Sequence, residues 1–167
     1  MKLRIKLIAA LLFLSFASAC AASDSPDNFT QEPENGEEIF ALNDDKPFAE
    51  VHLVMQVSDA DPVHYQAALD IANNLSRHYG GPDFVDIQIV SFGAGVPMVF
   101  AENNKNATRI SSLIEHGVRF YVCGNTLDTI ERKTGRLPQI LPDIIRVQTG
   151  VAFLIDEINR GYLHLHP

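Results

Sequence analysis

Gly117-Val-Arg-Phe-Tyr-Val-Cys-Gly-Asn-Thr-Leu127 decides the fold, because its period changes in the middle. Val118 to Val122 is an apolar run of the length of a buried strand. Gly124 breaks that run, and Asn125-Thr126 can cap a helix that continues through Leu127 and Ile130. Strand alternation puts Arg119, Tyr121 and Cys123 on one face and Phe120 and Val122 on the other. At the strand-to-helix junction the Cys123 thiol would meet unpaired backbone N–H groups and the positive end of a helix dipole. Both favour thiolate over thiol, so the position suits sulfur chemistry.

Working outward, the same strand-then-helix unit recurs. Val51-His-Leu-Val-Met-Gln-Val57 reads as a first strand. Asp59 and Asp61 flank a helix start, Pro62 suits the first turn, and Gly80-Gly81-Pro82 stops the helix after Tyr79. Its apolar positions Tyr65, Ala68, Leu69, Ala72 and Leu75 recur at spacings of three and four, marking one buried face. Val85 to Ser91 is the second strand, closed by Gly93-Ala-Gly95. A short helix is expected over Pro97 to Glu102 and another over Ala107 to His116, with Gly117 ending it. After Cys123 the helix runs to Gly135, and Pro138 and Pro142 mark an extended crossing. Ile144 to Val147 is a fourth strand, Ala152 to Arg160 a last helix capped by Gly161, and Tyr162 to His166 a final strand. Strands separated by helical crossovers predict an α/β fold, a three-layer α/β/α sandwich whose mostly parallel sheet has about five strands.

The amino terminus has a different character. Lys2, Arg4 and Lys6 precede the apolar run Leu7 to Phe16, and Ala17-Ser18-Ala19 supplies the small residues of a cleavage site, so residues 1–19 read as a signal peptide. Cys20 follows directly, where a bacterial lipoprotein carries its lipidated cysteine. The triplet suits the ordinary signal peptidase equally well. The expectation is an exported, periplasmic protein, lipid-anchored through Cys20 or else soluble. The whole chain is formally −8 and the leader carries +3, leaving −11. Most of that acidity lies in residues 24–50, with nine Asp/Glu against Lys46. Residues 20–49 therefore read as an acidic flexible tether, in which Ile39-Phe40-Ala41-Leu42 could dock on the body, and residues 50–167 as one domain. No basic stripe is present, which argues against nucleic acid as a partner. Of two cysteines one sits at the cleavage site, so no internal disulfide framework is available. His164 and His166 share a strand face without an identifiable third ligand, and no metal site is expected.

In a parallel sheet, ligands bind at the carboxyl ends of the strands. That edge would collect Gly93 and Gly95 after the second strand and Cys123, Gly124, Asn125 and Thr126 after the third. Asn74, near the end of the first helix, would either reach this pocket or satisfy a buried backbone group. Gly93-Ala-Gly95 lacks the third glycine of the dinucleotide fingerprint, and no cofactor is expected.

The chain resembles the DsrE/DsrF-like family over most of residues 50–167. The resemblance is carried by Ala68-Leu69 through Asn74-Leu75, Ser91-Phe-Gly-Ala-Gly95, Gly117 through Thr126, Gly150-Val-Ala and Gly161-Tyr. It implies a compact α/β/α sandwich, self-association into homo-oligomers, and sulfurtransferase-type carriage of sulfur as a persulfide on Cys123. The implied partners are a sulfur donor or acceptor protein or a small sulfur compound. Two features depart from the family's pattern: the export signal, and an ending in His166-Pro167 where lysine-proline is usual. The competing reading is a non-catalytic binding or assembly module, tethered to the membrane, in which Cys123 is packed.

Overall fold

The computed structural model describes residues 46–167. The signal peptide, Cys20 and the tether through residue 45 lie outside the described residues. The body proper starts with a turn at 46–49, where Lys46 Nζ donates to the carbonyls of Val85 (3.1 Å) and Gly117 (2.8 Å). The elements then alternate: β1 Val51–Val57, α1 Pro62–His78, β2 Val85–Ser91, a 3-10 segment Gly93–Val99, α2 Ala107–Glu115, β3 Arg119–Cys123, α3 Gly124–Thr134, β4 Ile145–Val147, α4 Gly150–Asn159 and β5 Leu163–Leu165.

The sheet is fully parallel, in the order β4-β3-β2-β1-β5. The first four strands are laid down side by side in one direction. The fifth returns to the far side of β1, so its crossover helix α4 must pass over the opposite face. Side-chain packing follows this topology. Leu53, Met55, Ile87, Ile89, Phe120 and Val122 meet α1, α2 and α3 through residues such as Leu69, Ala72, Ile110 and Leu127. On the other face Val54, Val90 and Tyr121 meet Leu154 of α4 and Tyr162. The result is the expected three-layer α/β/α sandwich. β2, at the centre, is buried along its whole length.

Local chemistry explains the well-read boundaries. Asp61 caps α1 by accepting from the Val63 N–H at 2.8 Å, and Pro62 needs no partner for a missing N–H in the first turn. Gly117 takes φ +78°, the left-handed geometry that ends a helix cheaply only with glycine.

Several boundaries differ from the sequence reading; β5 is shorter than the expected Tyr162 to His166, and three other differences shape the site. The short helix expected at Pro97–Glu102 instead spans Gly93–Val99, and Phe100 turns outward to bridge Ile140. The reason is close packing: a Cβ on Gly95 would lie 2.1 Å from the Val57 carbonyl oxygen, so only glycine lets this turn sit on the end of β1. The helix after β3 begins at Gly124 with Cys123 as its N-cap residue, so Asn125 and Thr126 lie in the first turn and are not caps. The last helix begins at Gly150, two residues early.

The α4 face also holds buried charge, which strand alternation alone does not announce. Asp86, 0% exposed, accepts from Arg119 Nη2 at 2.7 and 2.6 Å and from the Tyr162 hydroxyl at 2.5 Å. Beside it Gln88 Nε2 donates to Glu157 Oε2 at 2.9 Å, and Glu157 Oε1 accepts from Arg160 at 2.8 Å. Removing a cation or hydroxyl from such a network is costly, because the buried carboxylate is left charged and dry.

Candidate functional site

β3 and β4 are neighbours, with Cys123 paired to Val147 at their carboxyl ends. The helix after β3 packs on one face of the sheet, and the helix after β4 packs on the other. Where consecutive connections part in this way a crevice opens at the sheet edge, the usual ligand position in open α/β folds. Cys123 lies at that point, between the amino ends of α3 and α4.

The sulfur is surrounded by donors. The Thr126 hydroxyl and the backbone N–H groups of Gly150, Thr126 and Asn125 all point at it. Two helix N-termini therefore converge on one thiol, each with its positive dipole end, and the Asn125 N–H is shared with the Gln148 carbonyl, to which it donates at 3.0 Å. Burial pushes the Cys123 pKa up. The Thr126 hydroxyl, followed by the N–H groups of Gly150, Thr126 and Asn125, outweighs burial and holds the pKa below that of an ordinary thiol. In the thiol form Sγ can donate to the Gln148 carbonyl, 3.9 Å away. Cys123 is only 6% exposed, less than a strand-end thiol would be if it merely ended in solvent.

The residues nominated from sequence separate into three groups. Asn125 and Thr126 belong to the site. Thr126 Oγ1 accepts from the Gly93 N–H at 3.1 Å while its hydroxyl serves the sulfur, so Gly93, at φ +56°, contributes by holding Thr126. Asn125 Nδ2 donates to Thr149 Oγ1 at 3.0 Å, and Gln148 Nε2 donates to Asn125 Oδ1 at 2.6 Å. These bonds tie the start of α3 to the start of α4 across the crevice. Gly95 and Gly124 form the second group, with a packing role. A Cβ on Gly124 would stand 2.8 Å from Arg146 Nε, and Arg146 itself bonds Asp128 at 2.5 Å. Asn74 is in neither group. It is exposed on α1, and twelve residues beyond Pro62 it lies roughly 18 Å along the helix from the carboxyl edge of the sheet.

The sequence reading missed Gly150, Thr149 and Gln148. A Cβ on Gly150 would lie 3.0 Å from the Cβ atoms of both Cys123 and Phe92, so a glycine is what brings the start of α4 against the thiol. The signal was present as Thr149-Gly150 ahead of an apolar helix. Its partner, however, is 27 residues away in sequence. His164, the other candidate ligand, has Nε2 bonded to Gln56 Oε1 at 2.9 Å. Among the described residues no three His, Cys, Asp or Glu side chains gather as a metal site would require.

No protein-family model matches the chain, and no curated protein matches it in sequence. Solved structures do. MTH1491 from Methanobacterium thermoautotrophicum, described as a protein of unknown function, is 21% identical with a TM-score of 0.62, covering 71% of this chain and 100% of its own. BT1422 from Bacteroides thetaiotaomicron, also described as of unknown function, is 18% identical with a TM-score of 0.46, covering 69% of this chain and 93% of its own. The likeness to MTH1491 concerns the fold alone.

Proposed function

We propose that this chain is an exported, DsrE/DsrF-like sulfur carrier in which Cys123 holds sulfur as a persulfide. One observation carries the proposal: two helix N-termini and the Thr126 hydroxyl converge on a single sulfur and favour its anion. The thiolate attacks the outer sulfur of a donor persulfide, R–S–SH. The new bond is Cys123 S–S, the broken bond is the donor's S–S, the single proton of R–S–SH stays on the transferred sulfur, and the donor leaves as the thiolate R–S⁻. The product is Cys123–S–SH. An acceptor thiolate then attacks the terminal sulfur, and Cys123 departs as the thiolate that the helix ends stabilise. No external oxidant or reductant enters either step.

The test is direct loading. Reduced protein incubated with a polysulfide should gain mass in sulfur-atom increments at Cys123, and Cys123→Ser should gain none while keeping its fold. A folded wild type that never takes up sulfur would defeat the proposal.

The 6% exposure of Cys123 favours a second reading, a binding or assembly module with the thiol packed. Alkylation separates the two. Rapid modification of native protein at neutral pH supports the carrier, and resistance until unfolding supports the module. Export and anchoring through Cys20, and homo-oligomerisation, belong to the same proposal. They are checked by the mass of the native amino terminus and by light scattering on the purified body.

A further inference from the structure

The α4 layer is half empty among the described residues. Five strands at about 4.8 Å spacing make a face nearly 20 Å wide, whereas one helix covers about 10 Å. On α4, Leu154 points at the sheet. Phe153, 100° round the helix, stacks on Tyr121 of β3, with ring centroids 4.2 Å apart. Val151, Ile155 and Ile158 fall 40° to 100° round the other way, and so face the β1–β5 side. They are 46%, 51% and 39% exposed. Beneath them β1 and β5 present Gln56 and His164 on the same sheet face. An apolar wall thus stands beside a strip of sheet that is left accessible at Gln56 and His164, while Val54 and Tyr162 are buried next to it.

We propose that the occupant of this trough is the chain's own segment 34–45, seated through Ile39-Phe40-Ala41-Leu42. Three observations select it. The segment joins the body at Lys46, which is anchored at the amino edge of β2 and β3. α4 runs towards that same edge, since it starts with Gly150 beside Cys123 at the carboxyl edge and its Glu157 meets Gln88 halfway along β2, with Ile158 one residue further on. Phe40 is six residues before Lys46, a span of up to about 20 Å, which brings the trough within reach. A second copy of the chain is the poorer occupant. Three half-exposed aliphatic side chains fall well short of the roughly 800 Å² per partner of a stable interface. A covalently attached segment, held at high effective concentration, needs no such area.

Proximity in solution tests the assignment. In the mature chain carrying Cys20→Ser and Cys123→Ser, Phe40→Cys is combined with Ile155→Cys. The control combines Phe40→Cys with Asn74→Cys, an exposed position on the opposite layer. Mild oxidation should close the 40–155 disulfide within one chain several-fold faster than the 40–74 disulfide. Equal rates for the two pairs would overturn the proposal, as would a 40–155 product that is mainly intermolecular, which would make a second copy the occupant. Phe40→Asp in the otherwise unaltered mature chain should also raise binding of an apolar dye. No change in dye binding would count equally against docking.

Discussion

Gly150→Ala puts the two-helix account of Cys123 to a quantitative test. The added Cβ would stand 3.0 Å from the Cβ atoms of Cys123 and Phe92, whereas carbon atoms rest about 3.5–4.0 Å apart. Both contacts are with Cβ atoms, which are fixed to the backbone and cannot rotate away, so the first turn of α4 must retreat by about 0.5–1 Å. The Gly150 N–H then withdraws from the sulfur. A hydrogen bond to a charged group contributes about 1.5–3 kcal/mol. Losing it fully would raise the thiol pKa by about 1–2 units at 1.36 kcal/mol per unit, and a partial retreat by about half a unit. The overpacking itself should cost about 1–3 kcal/mol of folding stability. Iodoacetamide alkylation rate against pH, with the denatured chain as reference, reads the pKa, and denaturant melts read the stability. An unchanged titration midpoint in a Gly150→Ala protein that still unfolds cooperatively would refute the claim that α4 helps to hold the thiolate.

Thr126→Val should raise the Cys123 pKa and lower stability by about 1–2 kcal/mol, since it removes both a donor to sulfur and the acceptor for the Gly93 N–H; Thr126→Ser, which keeps both, should behave like wild type in the same titration. The lowered Cys123 pKa also has a sign in stability. Thiolate stabilisation is fully present above the unfolded-state thiol pKa of about 8.5 and is lost as pH falls through the folded value. The stability difference between wild type and Cys123→Ser should therefore grow with rising pH between those two values and then level off, and a flat difference in urea melts across that window would contradict it. Asp86→Asn should cost about 1.5–3 kcal/mol, because the buried charged acceptor shared by the half-buried Arg119 and Tyr162 becomes a neutral amide; a loss under 1 kcal/mol by thermal or chemical melts would show that the network relaxes freely.

Residues 51–57 and 85–91 could be read as strands to the residue, because buried parallel strands are short β-branched runs bounded by turn residues, and both conditions are local. α1 was equally legible, since Asp61-Pro62 and Gly80-Gly81 punctuate it within the same window. Cys123 was recognisable as a strand-end thiol for the same reason. The sequence could not show that a second helix end reaches it. The Gly150 N–H meets the sulfur only because β5 lies beyond β1, which sends α4 across the opposite face from α3 and opens the crevice between β3 and β4. Gly95 looked like part of a turn and Gly150 had no assigned role, yet their lack of a Cβ matters against Val57 and Cys123, partners distant in sequence. Asn74 failed as a site residue because helical rise carries it away from the edge that its sequence neighbours begin at. Periodicity and punctuation act over a turn or a strand and determined the elements. The chemistry at Cys123 depends on the order of the strands, and long-range packing alone decides that.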